Sequence, residues 1–195
     1  MNNPVKYGLL LLALALASCG GPAAEVPPLE GARLGGAFTL TSENGERMSD
    51  TAFAGRYRII YFGYTFCPDV CPVDVQRLMQ GLKRFEGKDR KRAAKVQPIF
   101  ISIDPERDTP KVLTVFTDAF HPRLIGFTGT PAELEAVKKA YGVFAEKEDP
   151  KAKANYLMSH SNTAILFGPK GEPITPLSHD EGPEKIAAEL DKWVT

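Results

Sequence analysis

The sequence predicts an α/β fold, a central mixed sheet flanked by helices and opened by an N-terminal β-hairpin. Three observations carry the prediction. Continuous apolar runs rich in β-branched and aromatic residues recur along the chain, as buried strands require. Between them lie segments with apolar residues at helical spacing, and helix followed by strand suggests crossover units that cover both sheet faces. Capping and turn residues stand at the boundaries, and no internal repeat breaks the order.

The elements follow in order. Ala37 to Thr41 and Glu46 to Ser49 flank the turn signal Ser42-Glu43-Asn44-Gly45, which makes the short opening hairpin. Arg58 to Gly63 reads as a buried parallel strand from its unbroken apolar and aromatic character. Val73, Leu78, Leu82 and Phe85 then recur near helical spacing up to Gly87, and Pro98 to Ile103 supplies the next strand. Thr109-Pro110 places a cap and a first-turn proline before a helix whose apolar residues are Val112, Val115, Phe116 and Ala119. Leu124 to Phe127 is a third strand. Thr130-Pro131-Ala132-Glu133 is a capping box opening a helix that carries Leu134, Val137 and Tyr141 and ends at Gly142. Asn162 to Phe167 and Pro173 to Leu177 form a final hairpin around Pro169-Lys170-Gly171. A closing helix from Gly182-Pro183 buries Ile186, Leu190 and Trp193.

Composition and the N-terminus bound the function. With 195 residues, 43% of them hydrophobic, the chain can fill the core of one domain without a disulfide scaffold, so its three cysteines need individual explanations. Lys+Arg 24 against Asp+Glu 24 leaves no overall basic field, which argues against a nucleic-acid partner. Met1 to Lys6 is positively charged, Tyr7 to Ala17 is apolar but too short to span a bilayer, and small residues follow, the tripartite pattern of a secretory signal. Leu16-Ala17-Ser18-Cys19 is similar to a bacterial lipobox, which implies that residues 1–18 are a lipoprotein signal peptide and that Cys19 becomes lipidated. Residues 19–35 then read as a lipid-anchored flexible tether rich in Pro, Gly and Ala, and 36–195 as the folded domain. The expected location is the bacterial cell envelope, with the domain in the periplasm or otherwise outside the cytoplasmic membrane.

The chemistry is concentrated where a buried strand gives way to a helix, the place where open α/β sheets usually bind ligands. There Phe66-Cys67-Pro68-Asp69-Val70-Cys71-Pro72 holds two thiols four residues apart, within reach of a disulfide or a shared metal on one helical turn. Helix N-terminal amides lower thiol pKa, and in an exported protein such a pair can cycle between dithiol and disulfide. A fixed stabilising disulfide is the plainer alternative, though so short a loop gains little closure entropy. His160 directly precedes a core strand, in a loop that faces this turn in a thioredoxin-like sheet, and is a candidate ligand. His121 and His179 read as surface residues. Asp104 lies at the same sheet edge as the cysteines and is a candidate for a role behind the ligands or toward a partner. Asp108 and Thr109 are explained by helix capping. Lys83, Arg84, Lys88, Arg90, Lys91, Arg92 and Lys95 form a basic stretch that reads first as a solvated helix end, and second as attracted to an anionic membrane surface. Tyr64, Phe66 and Pro68 are expected to make an uncharged surface beside the thiols that could dock a partner.

The segments Tyr61 to Pro72, Ile101 to Pro110 and Gly126 to Thr130, with the later His160, strongly resemble the Sco/SenC family, over about residues 36 to 193. The resemblance implies a thioredoxin-like fold that binds one copper ion, Cu(I) or Cu(II), through Cys67, Cys71 and His160 and acts as a metallochaperone. Its implied role is assembly of the binuclear copper centre of cytochrome c oxidase, as a monomer whose partners are the oxidase's copper-centre subunit and another periplasmic copper carrier. The residue chemistry agrees, since thiolates favour Cu(I) and imidazole suits either oxidation state, whereas structural zinc normally takes four protein ligands. The family's usual anchor is an uncleaved membrane helix, from which the lipobox departs. A thiol-disulfide oxidoreductase that reduces the recipient's cysteines is the alternative. It is weakened by three residues between the cysteines where a thioredoxin-like pair has two. A redox or copper sensor would use the same residues.

Overall fold

The computed structural model describes residues 25–195. The expected signal peptide, Cys19 and the start of the expected tether lie outside the described residues. The elements are β1 (Thr39–Ser42), β2 (Arg47–Ser49), β3 (Tyr57–Gly63), α1 (Val70–Lys88), α2 (Arg90–Ala93), β4 (Val96–Ser102), α3 (Pro110–Asp118), β5 (Ile125–Thr128), α4 (Pro131–Ala140), β6 (Ala145–Lys147), β7 (Met158–His160), β8 (Ala164–Phe167), β9 (Pro173–Leu177) and α5 (Pro183–Trp193). A seven-stranded sheet runs in the order β2-β1-β5-β4-β3-β8-β9. The central β3, β4 and β5 are parallel, while the opening hairpin and β8 and β9 join antiparallel, so the sheet is mixed as expected.

Every residue of β3 and β4 is buried, which accounts for their unbroken apolar runs. Their register pairs Tyr57 with Val96 and Gly63 with Ser102, so the two strands end level. The residues that follow each of them, 64–67 and 103–108, are therefore delivered to one sheet edge. Turn chemistry and helix starts agree with the sequence reading. Thr109 accepts from the Val112 amide, and Thr130 with Glu133 makes the full capping box.

The helical faces differ from expectation in detail. In α1, Leu78, Leu82 and Phe85 are buried, but Val73 is 38% exposed and its place inside is taken by Cys71, Asp74 and Val75. In α3 the buried residues are Leu113 and Thr117, while Val115 is 71% exposed. The nine-residue helix is capped so that Leu113 meets the sheet, and its neighbouring valines do not decide the face. α1 packs against α5 at Gly81, where an added Cβ would stand 2.5 Å from Ile186 Cγ2. Residues 25–35, part of the expected tether, run along the domain. The Leu29 amide donates to the Ile174 carbonyl at 3.0 Å and the Gly35 amide to the Ala140 carbonyl at 2.9 Å.

Candidate metal centre

β3 ends at Gly63, where an added Cβ would lie 3.2 Å from Cys71 Sγ and 2.9 Å from the Tyr61 ring. Glycine therefore lets the first turn of α1 close on the strand end, and Cys71 is fully buried as a result. Cys67 is half-buried in the loop above it, and both are free thiols. Asp69 stands at the N-cap of α1 without capping it through its side chain. The Cys67 sulfur does so instead, accepting from the Cys71 amide at 3.4 Å. Burial pushes the Cys67 thiol up, but the amides of Cys71, Asp69 and Val70 outweigh it and hold Cys67 below the ordinary thiol value. At Cys71 burial outweighs the lowering hydrogen bonds from the Tyr64 backbone and the Tyr61 hydroxyl. Burial and the neighbouring Cys67 push its pKa up to about 12. The expected lowering by helix amides thus applies to one thiol of the pair.

His160 was expected in a loop before a strand starting at Asn162. It ends a separate strand, β7, which pairs with β6 through Ala145, and β8 begins only at Ala164. Its Nδ1 lies 2.8 Å from the Ser161 carbonyl. A carbonyl can only accept, so Nδ1 carries a hydrogen, and in the neutral ring Nε2 then presents its lone pair. That lone pair faces Cys71 Sγ at 3.4 Å, and the Tyr64 ring packs edge-on against the imidazole. Two of the three predicted ligands are thus in contact. Among the described residues no three His, Cys, Asp or Glu side chains stand closely enough together to hold a metal ion as they are, and the Cys67 sulfur is turned onto the helix amide.

Several supporting residues escaped the sequence reading. Asp108 does not cap α3. It is fully buried and accepts from Thr65 Oγ1 and Ser102 Oγ, both at 2.6 Å, and from the Thr65 amide at 3.2 Å, tying the cysteine loop to the end of β4. Asp104 reaches the histidine-bearing hairpin and not the cysteines, accepting from Tyr156 Oη at 2.6 Å and Arg107 Nε at 2.5 Å. The Arg107 guanidinium lies 3.6 Å over the Tyr156 ring and 5.0 Å from that of Phe66, so it is clamped between the hairpin and the cysteine loop. Behind Cys71, the Tyr61 hydroxyl donates to Asp74 at 3.0 Å, and Asp74 stands 3.0 Å from His179 Nδ1. His179 Nε2 donates to the Asn162 carbonyl at 2.7 Å, and the Asp74 contact outweighs burial to raise its pKa. His179 and His121 are both buried, contrary to the surface reading, because each lies against a carboxylate, Asp74 and Glu86 respectively. Tyr64 is also buried. Phe66 and Pro68 are exposed as expected, with Val70 beside them and Leu157 across a cleft of about 350 Å³ that Cys67, Pro68 and His160 line.

A mixed sheet with paired thiols at its first strand-to-helix turn, met by an imidazole from a neighbouring hairpin, places the molecule among thioredoxin-like proteins whose working residues sit at that sheet edge. Within that class the chain belongs to the SCO1/SenC family, whose model matches residues 26–195. It is 40% identical over 166 residues to the mitochondrial protein SCO2 of Saccharomyces cerevisiae, covering 83% of this chain and 54% of that protein. It is likewise 40% identical over 156 residues to protein SenC of Rhodobacter capsulatus, covering 80% of this chain and 68% of SenC. The chain therefore spans about half the length of the yeast relative. The structure of Bradyrhizobium japonicum ScoI with copper bound superposes with a TM-score of 0.73 at 40% identity, over 82% of this chain and 99% of ScoI.

Proposed function

We propose that this domain binds one copper ion through Cys67, Cys71 and His160 and serves as a metallochaperone in assembly of the binuclear copper centre of cytochrome c oxidase. The observation that carries the reading is the 3.4 Å approach of His160 Nε2 to Cys71 Sγ, with Cys67 Sγ one helical turn away and lining the same cleft. Two thiolates and one imidazole suit copper and leave a coordination position open, as a carrier needs. Loading requires Cys67 to turn from the Cys71 amide and Cys71 to give up its proton, so copper uptake releases protons. Copper-bound ScoI, at 40% identity, supports copper as the cargo. The oxidase copper-centre subunit is the recipient in this reading, and another periplasmic copper carrier the donor. Cys19 carries the lipid that holds the monomer to a membrane of the bacterial envelope. Among the described residues no helix is long and apolar enough to cross a membrane. The test is copper analysis of the reduced protein as wild type, Cys67→Ser, Cys71→Ser and His160→Ala. Each variant is expected to lose or weaken binding, and indistinguishable binding by His160→Ala would sink the three-ligand site.

A second reading, thiol-disulfide exchange with a recipient's cysteines, is favoured by the asymmetry of the pair. An accessible, lowered Cys67 beside a buried Cys71 suits attack by the first thiol and resolution by the second. Host cells depleted of the protein separate the two readings. Rescue of oxidase assembly by His160→Ala with failure of Cys67→Ser indicates exchange, whereas failure of all three variants, partly relieved by added copper, indicates delivery.

A further inference from the structure

The end of the molecule opposite the thiols carries cations that the site does not use. α1 starts at the cysteines, and α5 lies parallel beside it, as the successive contacts Gly81 to Ile186 and Lys88 to Asp191 show. The 19 residues of α1 make a rod of about 28 Å, and α2 and the last turn of α5 lie at its far end. Part of the charge there is paired. Lys88 and Arg92 meet Asp191, Arg123 meets Glu86, and Lys192 meets Glu25. Lys83, Arg90, Lys91 and Arg56 have no carboxylate at ion-pair distance among the described residues, while Lys95 Nζ donates to the Thr195 carbonyl oxygen at 2.7 Å. Lys83 and Arg90 are exposed on the rim of an open cleft of about 470 Å³, with Arg123 on its wall. Burial, with the charge of Arg123 adding to it, holds Arg56 below its ordinary pKa. A helix C-terminus is complemented by a cation or two in its last turn, fewer than are clustered here.

The chain also enters at this end. Glu25, the first described residue, is paired with Lys192 in the last turn of α5, and Leu29 is hydrogen-bonded to the start of β9. Five residues separate Glu25 from Cys19, and the six Cα-to-Cα steps reach at most about 20 Å. A lipid on Cys19 therefore holds the basic end, and not the thiol end, against the bilayer.

We propose that this basic end is a membrane-facing surface that takes the phosphate headgroups of anionic lipids and keeps the thiol end directed away from the bilayer. Its orienting role rests on the membrane attachment proposed above, while its charge complementarity does not depend on the lipid at Cys19. Each Lys or Arg near an anionic bilayer adds about fivefold to partitioning, so reversing three of them is expected to lower it by at least about a hundredfold.

The full chain is co-sedimented with phosphatidylcholine vesicles and with vesicles containing phosphatidylglycerol, as wild type and as the triple variant Lys83→Glu, Arg90→Glu, Lys91→Glu. The ratio between the two vesicle types cancels what the apolar N-terminal residues contribute equally to both. A control, Lys111→Glu, Lys151→Glu, Lys153→Glu, makes the same change in net charge at exposed positions away from α1 and α2. Wild type and control are expected to prefer the phosphatidylglycerol vesicles. The preference is expected to be lost in the first variant and screened as salt is raised. Equal binding of wild type to both vesicles, or equal loss in both triple variants, overturns the proposal. The attachment itself is read separately, by mass spectrometry for lipid on Cys19, and its absence leaves the vesicle ratio unaffected.

Discussion

Cys67 and Cys71 share one helical turn but sit in opposite electrostatic surroundings, because one sulfur meets the amides of the α1 N-terminus and the other is enclosed against the end of β3. In the reduced, metal-free protein, Cys67 is expected to alkylate with a midpoint below that of a free cysteine, about 8.5. Cys71 should stay unlabelled until close to its value of about 12. Peptide mass spectrometry across a pH series checks this, and simultaneous labelling of both thiols would contradict it. His179 supplies a second pH dependence. Its folded pKa is raised by Asp74 above the ordinary imidazole value of 6.5, so its stabilising contribution is fully present below that value and is lost as pH rises through the raised one. Urea midpoints are expected to fall across that window, and the fall to flatten in His179→Asn. An unchanged slope in the variant would assign the dependence elsewhere.

At the scale of elements, the site depends on keeping a short hairpin against the cysteine loop. β6 and β7 are only three residues each and pair with each other alone, so a hairpin of this size needs outside support. Arg107 provides it through Asp104, the Tyr156 carbonyl at 2.9 Å and the stacked rings of Tyr156 and Phe66. Arg107→Ala leaves Asp104 buried with one partner fewer and is expected to cost on the order of 3 kcal/mol. Hydrogen exchange should speed up across residues 145–160 while β3 and β4 stay protected. Arg107→Lys keeps a charge but not the planar stacking, so it should recover only part of the loss. Exchange in the hairpin indistinguishable from wild type would show that it is held by something else.

For the whole molecule, copper binding and folding are linked by mass action. Copper that binds only the folded, reduced site is expected to stabilise it by about 2.7 kcal/mol at free copper a hundredfold above Kd, with a rise in Tm that a chelator reverses. Oxidising Cys67 and Cys71 to a disulfide consumes both sulfurs, so the oxidised protein should show no such rise. Calorimetry on reduced and oxidised samples reads both states. Full copper stabilisation of a verified disulfide form would separate redox state from metal binding. The molecule has a polarity, with the thiols at one end and the basic stretch and chain entry at the other.

The sequence by itself determined the strands of the main sheet and the long helices between them, but not α2 or the β6–β7 hairpin. Buried central strands must be continuously apolar, and capping boxes, first-turn prolines and turn residues act within a few positions, whereas three-residue strands carry no such pattern. It also determined the pair of thiols, since their spacing on one helical turn is local, and singled out His160 by its place before a core strand. What it did not determine were relations set by contact across the fold. The face of α3 was settled by how Leu113 meets the sheet, and Tyr64, His121 and His179 were buried by partners distant in sequence. Asp108 looks like a helix cap when read beside Thr109, yet it faces Thr65 and Ser102, because β3 and β4 end level and bring their following loops together. The opposite shifts of Cys67 and Cys71 arise in the same way, and so does the entry of the chain at Glu25 beside a basic stretch that was itself legible in the sequence. Each depends on which amides, rings and charges the folded chain brings within a few ångströms, and neighbours along the chain do not specify that.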